Sequence, residues 1–139
     1  MSDLLAVDTS ALVKRYVDEP ESAEVCALMD AAEVWCASAL VRAEASMLLT
    51  RLASSRREAE ALVGALHADW DAFHVVPVDE RCLTRAAEIG ADFALRVVDA
   101  VHLAAAARLP RPVRYLTLDP RQVLAAVALD LEPVPTPDD

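Results

Sequence analysis

Short apolar runs that stop at an aspartate, separated by longer stretches with helical spacing, limit most strongly how this chain can fold. Leu4-Leu5-Ala6-Val7 runs into Asp8, and Tyr115-Leu116-Thr117-Leu118 runs into Asp119. Runs of that length read as buried strands. Val34-Trp35-Cys36 and Val75-Val76-Pro77-Val78 are two more, and Pro133-Val134-Pro135 reads as at best an edge strand. The segments between them read as helices. Thr9-Ser10 offers an N-cap for a short helix through Tyr16, Glu21 to Ala31 follows Pro20, Ala39 to Ala53 is a strong helix, and Arg56 to Phe73 is opened by Ser55. Asp79 starts a helix holding Leu83, Ala86, Ala87 and Ile89, and Asp99 opens an apolar helix from Ala100 to Leu109. Pro120 suits the first turn of a last helix running to about Leu129. This alternation predicts an α/β fold: one domain over residues 1–135, with a mainly parallel central sheet of four or five strands flanked by helices, and a polar tail at 136–139.

Composition agrees. The chain has 139 residues, 55% of them apolar but only 4% aromatic, so the core must be built from Ala, Val and Leu. Such a mix suits a buried parallel sheet. The longest apolar runs fall far short of the ~20 residues needed to cross a bilayer, and Met1-Ser2-Asp3-Leu4-Leu5 lacks the basic flank of a secretory signal. Cys26, Cys36 and Cys82 are widely spaced without a CxxC pair, and His67, His74 and His102 lack zinc-ligand spacing. The expectation is therefore a cytoplasmic protein with buried, reduced thiols. Both glycines, Gly64 and Gly90, lie inside helical patterns, which excludes GxGxxG and P-loop nucleotide sites. The net charge of −10 is unusual for a nucleic-acid binder. Three readings stay open: an acidic surface for solubility, acids gathered in a cation site, or a basic protein partner.

The placement of the acids narrows the chemistry. In an open α/β sheet, ligands bind beyond the carboxyl ends of the strands. Asp8 and Asp119 end strands, and Asp99 begins a helix, so all three are expected at that edge. Glu44 has Leu40, Val41, Met47 and Leu48 one turn away and Ala43 and Ala45 beside it, which places it on a buried face without a Lys or Arg on the same stripe. An unpaired carboxylate there is costly and calls for a cation. Singly, Asp8 also reads as a strand-end turn residue, and Asp79, Asp99 and Asp119 as helix caps. A glutamate inside an apolar helix face has no such alternative. Oxygen-only ligands point to Mg²⁺ or Mn²⁺, with Thr9, Ser10 and Thr117 supporting the acids or their waters.

Val7-Asp8-Thr9-Ser10-Ala11-Leu12, Arg42-Ala43-Glu44, Val98-Asp99-Ala100-Val101-His102-Leu103-Ala104 and Leu116-Thr117-Leu118-Asp119 together resemble the successive motifs of PIN domains, in particular those of the VapC toxins of bacterial toxin–antitoxin pairs. The resemblance spans nearly the whole chain, in order. It implies a single PIN-like domain and a Mg²⁺- or Mn²⁺-dependent endoribonuclease, a homodimer silenced by a cognate antitoxin. Asp8, Glu44, Asp99 and Asp119 would be its catalytic, metal-binding acids. Cleavage would leave a 5′-phosphate and a 3′-hydroxyl. One departure is Asp130, near where many relatives have a glycine after the last helix. Arg96 is a candidate grip for an RNA phosphate, ahead of Lys14 and Arg15, and His102 reads as a packed or supporting residue rather than a base.

A receiver-like phosphoacceptor wants paired acids after the first strand and a late lysine, whereas Val7 precedes Asp8 and Lys14 is the only lysine. A PIN-fold binding module without catalysis and a housekeeping RNA-processing nuclease remain as alternatives.

Overall fold

The computed structural model describes residues 3–136. In chain order its elements are β1 (Leu4–Val7), α1 (Thr9–Leu12) continued by a 3-10 turn (Val13–Arg15), α2 (Ser22–Ala31), β2 (Val34–Ser38), α3 (Ala39–Leu52), α4 (Arg56–Trp70), β3 (His74–Val76), α5 (Glu80–Phe93), α6 (Val97–Ala107), β4 (Val113–Leu116), α7 (Pro120–Ala128) and β5 (Glu132–Val134). The five strands are all parallel and lie in the order β3-β2-β1-β4-β5. This is the α/β architecture expected, with Pro133-Val134 on the edge strand β5. Apart from Thr136, the expected tail at 136–139 lies outside the described residues.

Alternation along each strand splits the core in two. Leu5 and Val7 face one layer together with Ala37 and Leu116; Ala6 faces the other with Cys36 and Tyr115. Helices α1 to α4 cover the first layer through side chains such as Leu12, Val25, Met29, Val41, Leu49 and Leu66. Helices α5 to α7 cover the second, where Cys82, Ala86 and Ile89 form a stripe at helical spacing and α6 is buried from Asp99 to Ala106. Because successive crossovers run β1→β2→β3 in one direction and then to β4 and β5 in the other, the chain reverses between β1 and β4. A crevice forms at the carboxyl ends of strands at such a point.

Several boundaries differ from expectation. Asp8, rather than Thr9 or Ser10, caps α1, accepting from the Ala11 amide at 3.0 Å. Helix α6 starts at Val97 with Arg96 at its cap position, so Asp99 lies inside the first turn and caps nothing. Strand β4 ends at Leu116 because Thr117 and Leu118 turn toward Asp8 and Ser10. Helix α4 stops at Trp70, which stacks on Phe73 with ring centroids 5.0 Å apart. Asp130 adopts a left-handed φ of 60°, which aspartate tolerates better than most residues, and the chain still pairs β5 with β4.

No helix among the described residues is long and apolar enough to cross a membrane. Cys36 and Cys82 are buried, whereas Cys26 is only partly so, which corrects the expectation of three buried thiols. Burial pushes the Cys36 thiol up to about 11 and raises that of Cys82. Iodoacetamide at pH 8 is therefore expected to label Cys26 alone in the native protein and all three in urea, read by mass spectrometry. Rapid native labelling of Cys36 would contradict the packing of β2.

Candidate active site

Asp8 leaves the end of the central strand into the crevice between β1 and β4 and is 1% exposed. Its Oδ1 accepts from Ser10 Oγ at 2.8 Å and the Ala11 amide at 3.0 Å. Its Oδ2 accepts from Thr117 Oγ1 at 2.6 Å and Gln122 Nε2 at 3.0 Å. Gln122 is fixed in turn by the Tyr115 hydroxyl, which donates to its Oε1 at 2.6 Å. The supporting hydroxyls also fasten the backbone: Ser10 Oγ accepts from the Leu118 amide, and Thr117 Oγ1 from the Asp119 amide, both at 3.1 Å. All these donors to Asp8 are neutral. Burial pushes its carboxyl above the ordinary range, despite the opposing hydrogen bonds from Thr117, Ala11 and Ser10.

The other three acids each have a basic partner. Asp99, 4% exposed, is gripped by Arg96, whose Nε and Nη2 donate to its two oxygens at 3.0 and 3.1 Å. Asp119 caps α7 through the Arg121 amide at 3.0 Å and meets Arg121 Nε at 3.2 Å. Burial pushes the Asp119 carboxyl up, but the Arg121 donors outweigh it and the net shift is downward. Glu44 accepts from His102 Nε2 at 2.9 Å, and that bond is the main reason its carboxyl is held below the usual range.

Glu44 differs from expectation in two respects. Its side chain is 27% exposed, because the buried stripe of α3 is Val41, Ala45 and Leu49, with Met47 turned outward. Its partner is a histidine from a distant helix rather than a cation on its own. Glu44, Asp99 and Asp119 are therefore held in separate pairings. Among the described residues no three Asp, Glu, His or Cys side chains stand close enough to form a ready ion cage.

All four acids nevertheless border one region. The buried Tyr115 phenol is pushed well above its ordinary value, first by burial and then by the charges of Asp8, Asp99, Asp119 and Glu44 together. Arg96 is raised mainly by Asp99, and also feels Glu44 and Asp119. The donor chemistry fits a hard cation, since carboxylates and hydroxyls dominate. Asp8 gives the clearest sign: among the described residues this buried carboxylate has no Lys or Arg bonded to it. A cation there would compensate the charge that neutral donors only partly stabilise.

Four residues that matter here carry no site assignment from sequence. Arg121 was legible in principle, being two residues from Asp119. Gln122 shares a helical stripe with the buried Ala125 and Ala126, so a buried amide on an apolar face was the available signal. Tyr115 and Ser38 offered none. His102, read as a supporting residue, proves to touch Glu44, Thr9 and Ser38.

The family model for the PIN domain matches residues 5–130. Ribonuclease VapC46 of Mycobacterium tuberculosis is 36% identical over 126 residues, covering 90% of this chain and 92% of the relative. Among solved structures, FitAcB from Neisseria gonorrhoeae superposes with a TM-score of 0.72 at 19% identity, covering 93% of this chain and 95% of that one. VapBC-5 from Mycobacterium tuberculosis, described as a member of the VapBC family of toxin–antitoxin systems, gives 0.65 at 18% identity, covering 95% and 98%. At these identities the structures speak to the fold alone.

Proposed function

The chain belongs to the PIN domain family, and from that premise we propose that it is a divalent-cation-dependent endoribonuclease, the toxin of a toxin–antitoxin pair. The observation that carries the reading is the hydrogen-bonded cluster in which Thr117 joins Asp8 to the Asp119 backbone and His102, one turn after Asp99, joins Thr9 to Glu44, with Asp8 buried among neutral donors. A relative named as a ribonuclease, matched over most of both chains, supports RNA as the substrate.

Asp8, Glu44, Asp99 and Asp119 would hold the cation, Mg²⁺ or Mn²⁺. Bound there, it would make an attacking water more acidic and offset charge on the phosphoryl oxygens of a scissile phosphodiester. The chain's own groups prepare that site. Ser10, Thr117 and Gln122 fix both oxygens of Asp8. Arg96 and Arg121 lie at the rim, with side chains 66% and 67% exposed. Exchange of Asp99 for an RNA phosphate would let Arg96 grip substrate while freeing that carboxylate, since guanidinium groups bind both in the same fork geometry. Arg121 is placed to do likewise from Asp119.

The same reading includes a cytoplasmic location, a homodimer and a cognate antitoxin. Several solved neighbours are toxin–antitoxin complexes. With a net charge of −10, a basic or amphipathic antitoxin segment would be drawn to this chain.

The purified chain is expected to cleave single-stranded RNA regions with Mg²⁺ or Mn²⁺ and to lose cleavage in EDTA. Asp99→Asn should lower the rate by about 100-fold or more, as does loss of one preorganised electrostatic group elsewhere. Its induction in a bacterial host should arrest growth, relieved by co-expression of a neighbouring small reading frame. Cleavage unaffected by EDTA and by Asp99→Asn would remove the metal assignment. Normal growth with intact cleavage would favour a housekeeping nuclease, and a folded, inert chain would favour a binding module.

A further inference from the structure

His102 sits one turn after Asp99 on α6, between Val101 and Leu103, and is 3% exposed. A buried imidazole needs partners for both ring nitrogens, or its desolvation is uncompensated. None of its three partners lies on α6 itself. Nε2 lies 2.9 Å from Glu44 Oε1 and 3.2 Å from Thr9 Oγ1, and Nδ1 lies 2.9 Å from Ser38 Oγ. A carboxylate only accepts, so Nε2 donates to Glu44, while Nδ1 is paired with the Ser38 hydroxyl.

Ser38 reinforces this pairing. It occupies the N-cap position of α3 with the extended backbone a cap requires, φ −67° and ψ 153°, yet its hydroxyl caps nothing. Ser55 and Asp79, at the same position of α4 and α5, do cap their helices. That local role is left unfilled, and the hydroxyl is directed to a ring 64 residues away in sequence. The result is a buried chain of hydrogen bonds from the end of β2 through α6 to a carboxylate on α3.

We propose that His102, oriented by Ser38, is the positioning residue for Glu44. This rests on the nuclease reading above and adds to it how one of the four acids is held. Arg96 and Arg121 clamp their acids from the solvent side, where substrate can displace them. His102 acts from inside the protein, where nothing displaces it, and it leaves the rotamers of a long, partly exposed side chain restricted. A supporting partner of this kind typically changes metal affinity by about 10- to 100-fold.

Two substitutions separate the role of the ring from its bulk. In His102→Gln the amide nitrogen reaches the place of Nε2 and can still donate to Glu44. In His102→Asn it reaches only the place of Nδ1, toward Ser38. Calorimetric titration of the full chain with Mn²⁺ is expected to give His102→Gln an affinity within a few-fold of wild type, and His102→Asn one about 10- to 100-fold weaker. RNA cleavage should follow in kcat, with KM for RNA little changed. Ser38→Ala, which leaves the ring in place, should weaken Mn²⁺ binding by a few-fold, and it keeps the idea testable if His102→Asn fails to fold.

A third readout needs neither metal nor RNA. The Nε2 proton of ¹⁵N-histidine-labelled protein should exchange slowly and shift in Glu44→Gln. Equal Mn²⁺ affinities for the Asn and Gln variants, in a wild type that binds and cleaves, would overturn the positioning role alone. A wild type that shows the protected ring proton but neither binds Mn²⁺ nor cleaves would overturn the nuclease reading together with it.

Discussion

Asp8→Asn is expected to lower RNA cleavage by two to three orders of magnitude while melting no lower than wild type at pH 7.5. The activity loss follows from removing the charge of the most buried of the four acids. The stability result follows from where that charge sits. Burial raises the Asp8 carboxyl above its ordinary 3.8 in the folded chain, and its hydrogen-bond donors are all neutral. An acid whose pKa is higher folded than unfolded binds its proton more tightly in the native state. Stability therefore falls as pH rises from about 3.8 through the folded value, and the deficit persists above it. Asparagine carries no charge and keeps an oxygen to cap α1 through the Ala11 amide. Melts of both proteins at pH 4 and 7.5 should show the variant gaining on wild type at the higher pH. Added Mn²⁺ should raise the wild-type melting temperature and leave the variant's unchanged, because a ligand stabilises only the state that binds it. Full activity in the variant, or a melting temperature well below wild type at pH 7.5, would refute the role given to Asp8.

The largest stability effect is expected at Leu5. It lies mid-strand on the central β1, 0% exposed, paired across to Trp35 on β2 and Arg114 on β4. Truncating a leucine there removes its transfer energy and leaves a cavity that strands on both sides keep open. Leu5→Ala should cost about 2–5 kcal/mol. For a domain of this size that corresponds to a fall in melting temperature on the order of 10 °C. Met47→Ala, at a residue 64% exposed on α3, should stay within about 0.5 kcal/mol of wild type. Urea unfolding of the two variants provides the comparison. A Leu5→Ala midpoint indistinguishable from wild type would mean that the layer against α1 to α4 is not where the fold's stability resides.

The two substitutions probe parts of the protein that were unequally legible. The strand–helix alternation, the parallel sheet, the strand-end position of Asp8 and the helix-cap position of Asp119 follow from patterns a few residues long. Burial on both faces of a parallel sheet demands continuous apolar runs, and helices declare themselves by their spacing. The contacts of Arg96 with Asp99 and of Arg121 with Asp119 are similarly local, spanning three and two residues.

Glu44 marks where that legibility stops. Apolar residues occupy nearly every face of α3, so spacing alone did not distinguish the stripe of Val41, Ala45 and Leu49 from that of Leu40, Val41, Met47 and Leu48. Which stripe is buried depends on how α3 packs in three dimensions. The partners of the acids lie further still from local pattern: His102 is 58 residues from Glu44, Thr117 is 109 from Asp8, and Gln122 is 114 from Asp8. Sequence alone determined the kinds of element, their order and the acids that end or begin them, because backbone preference and burial periodicity act over one or two turns. The tertiary structure decided which group holds each acid. That choice rests on β4 docking beside β1 rather than β3, and strand order is set by the packing of both layers at once, which no short stretch of sequence contains.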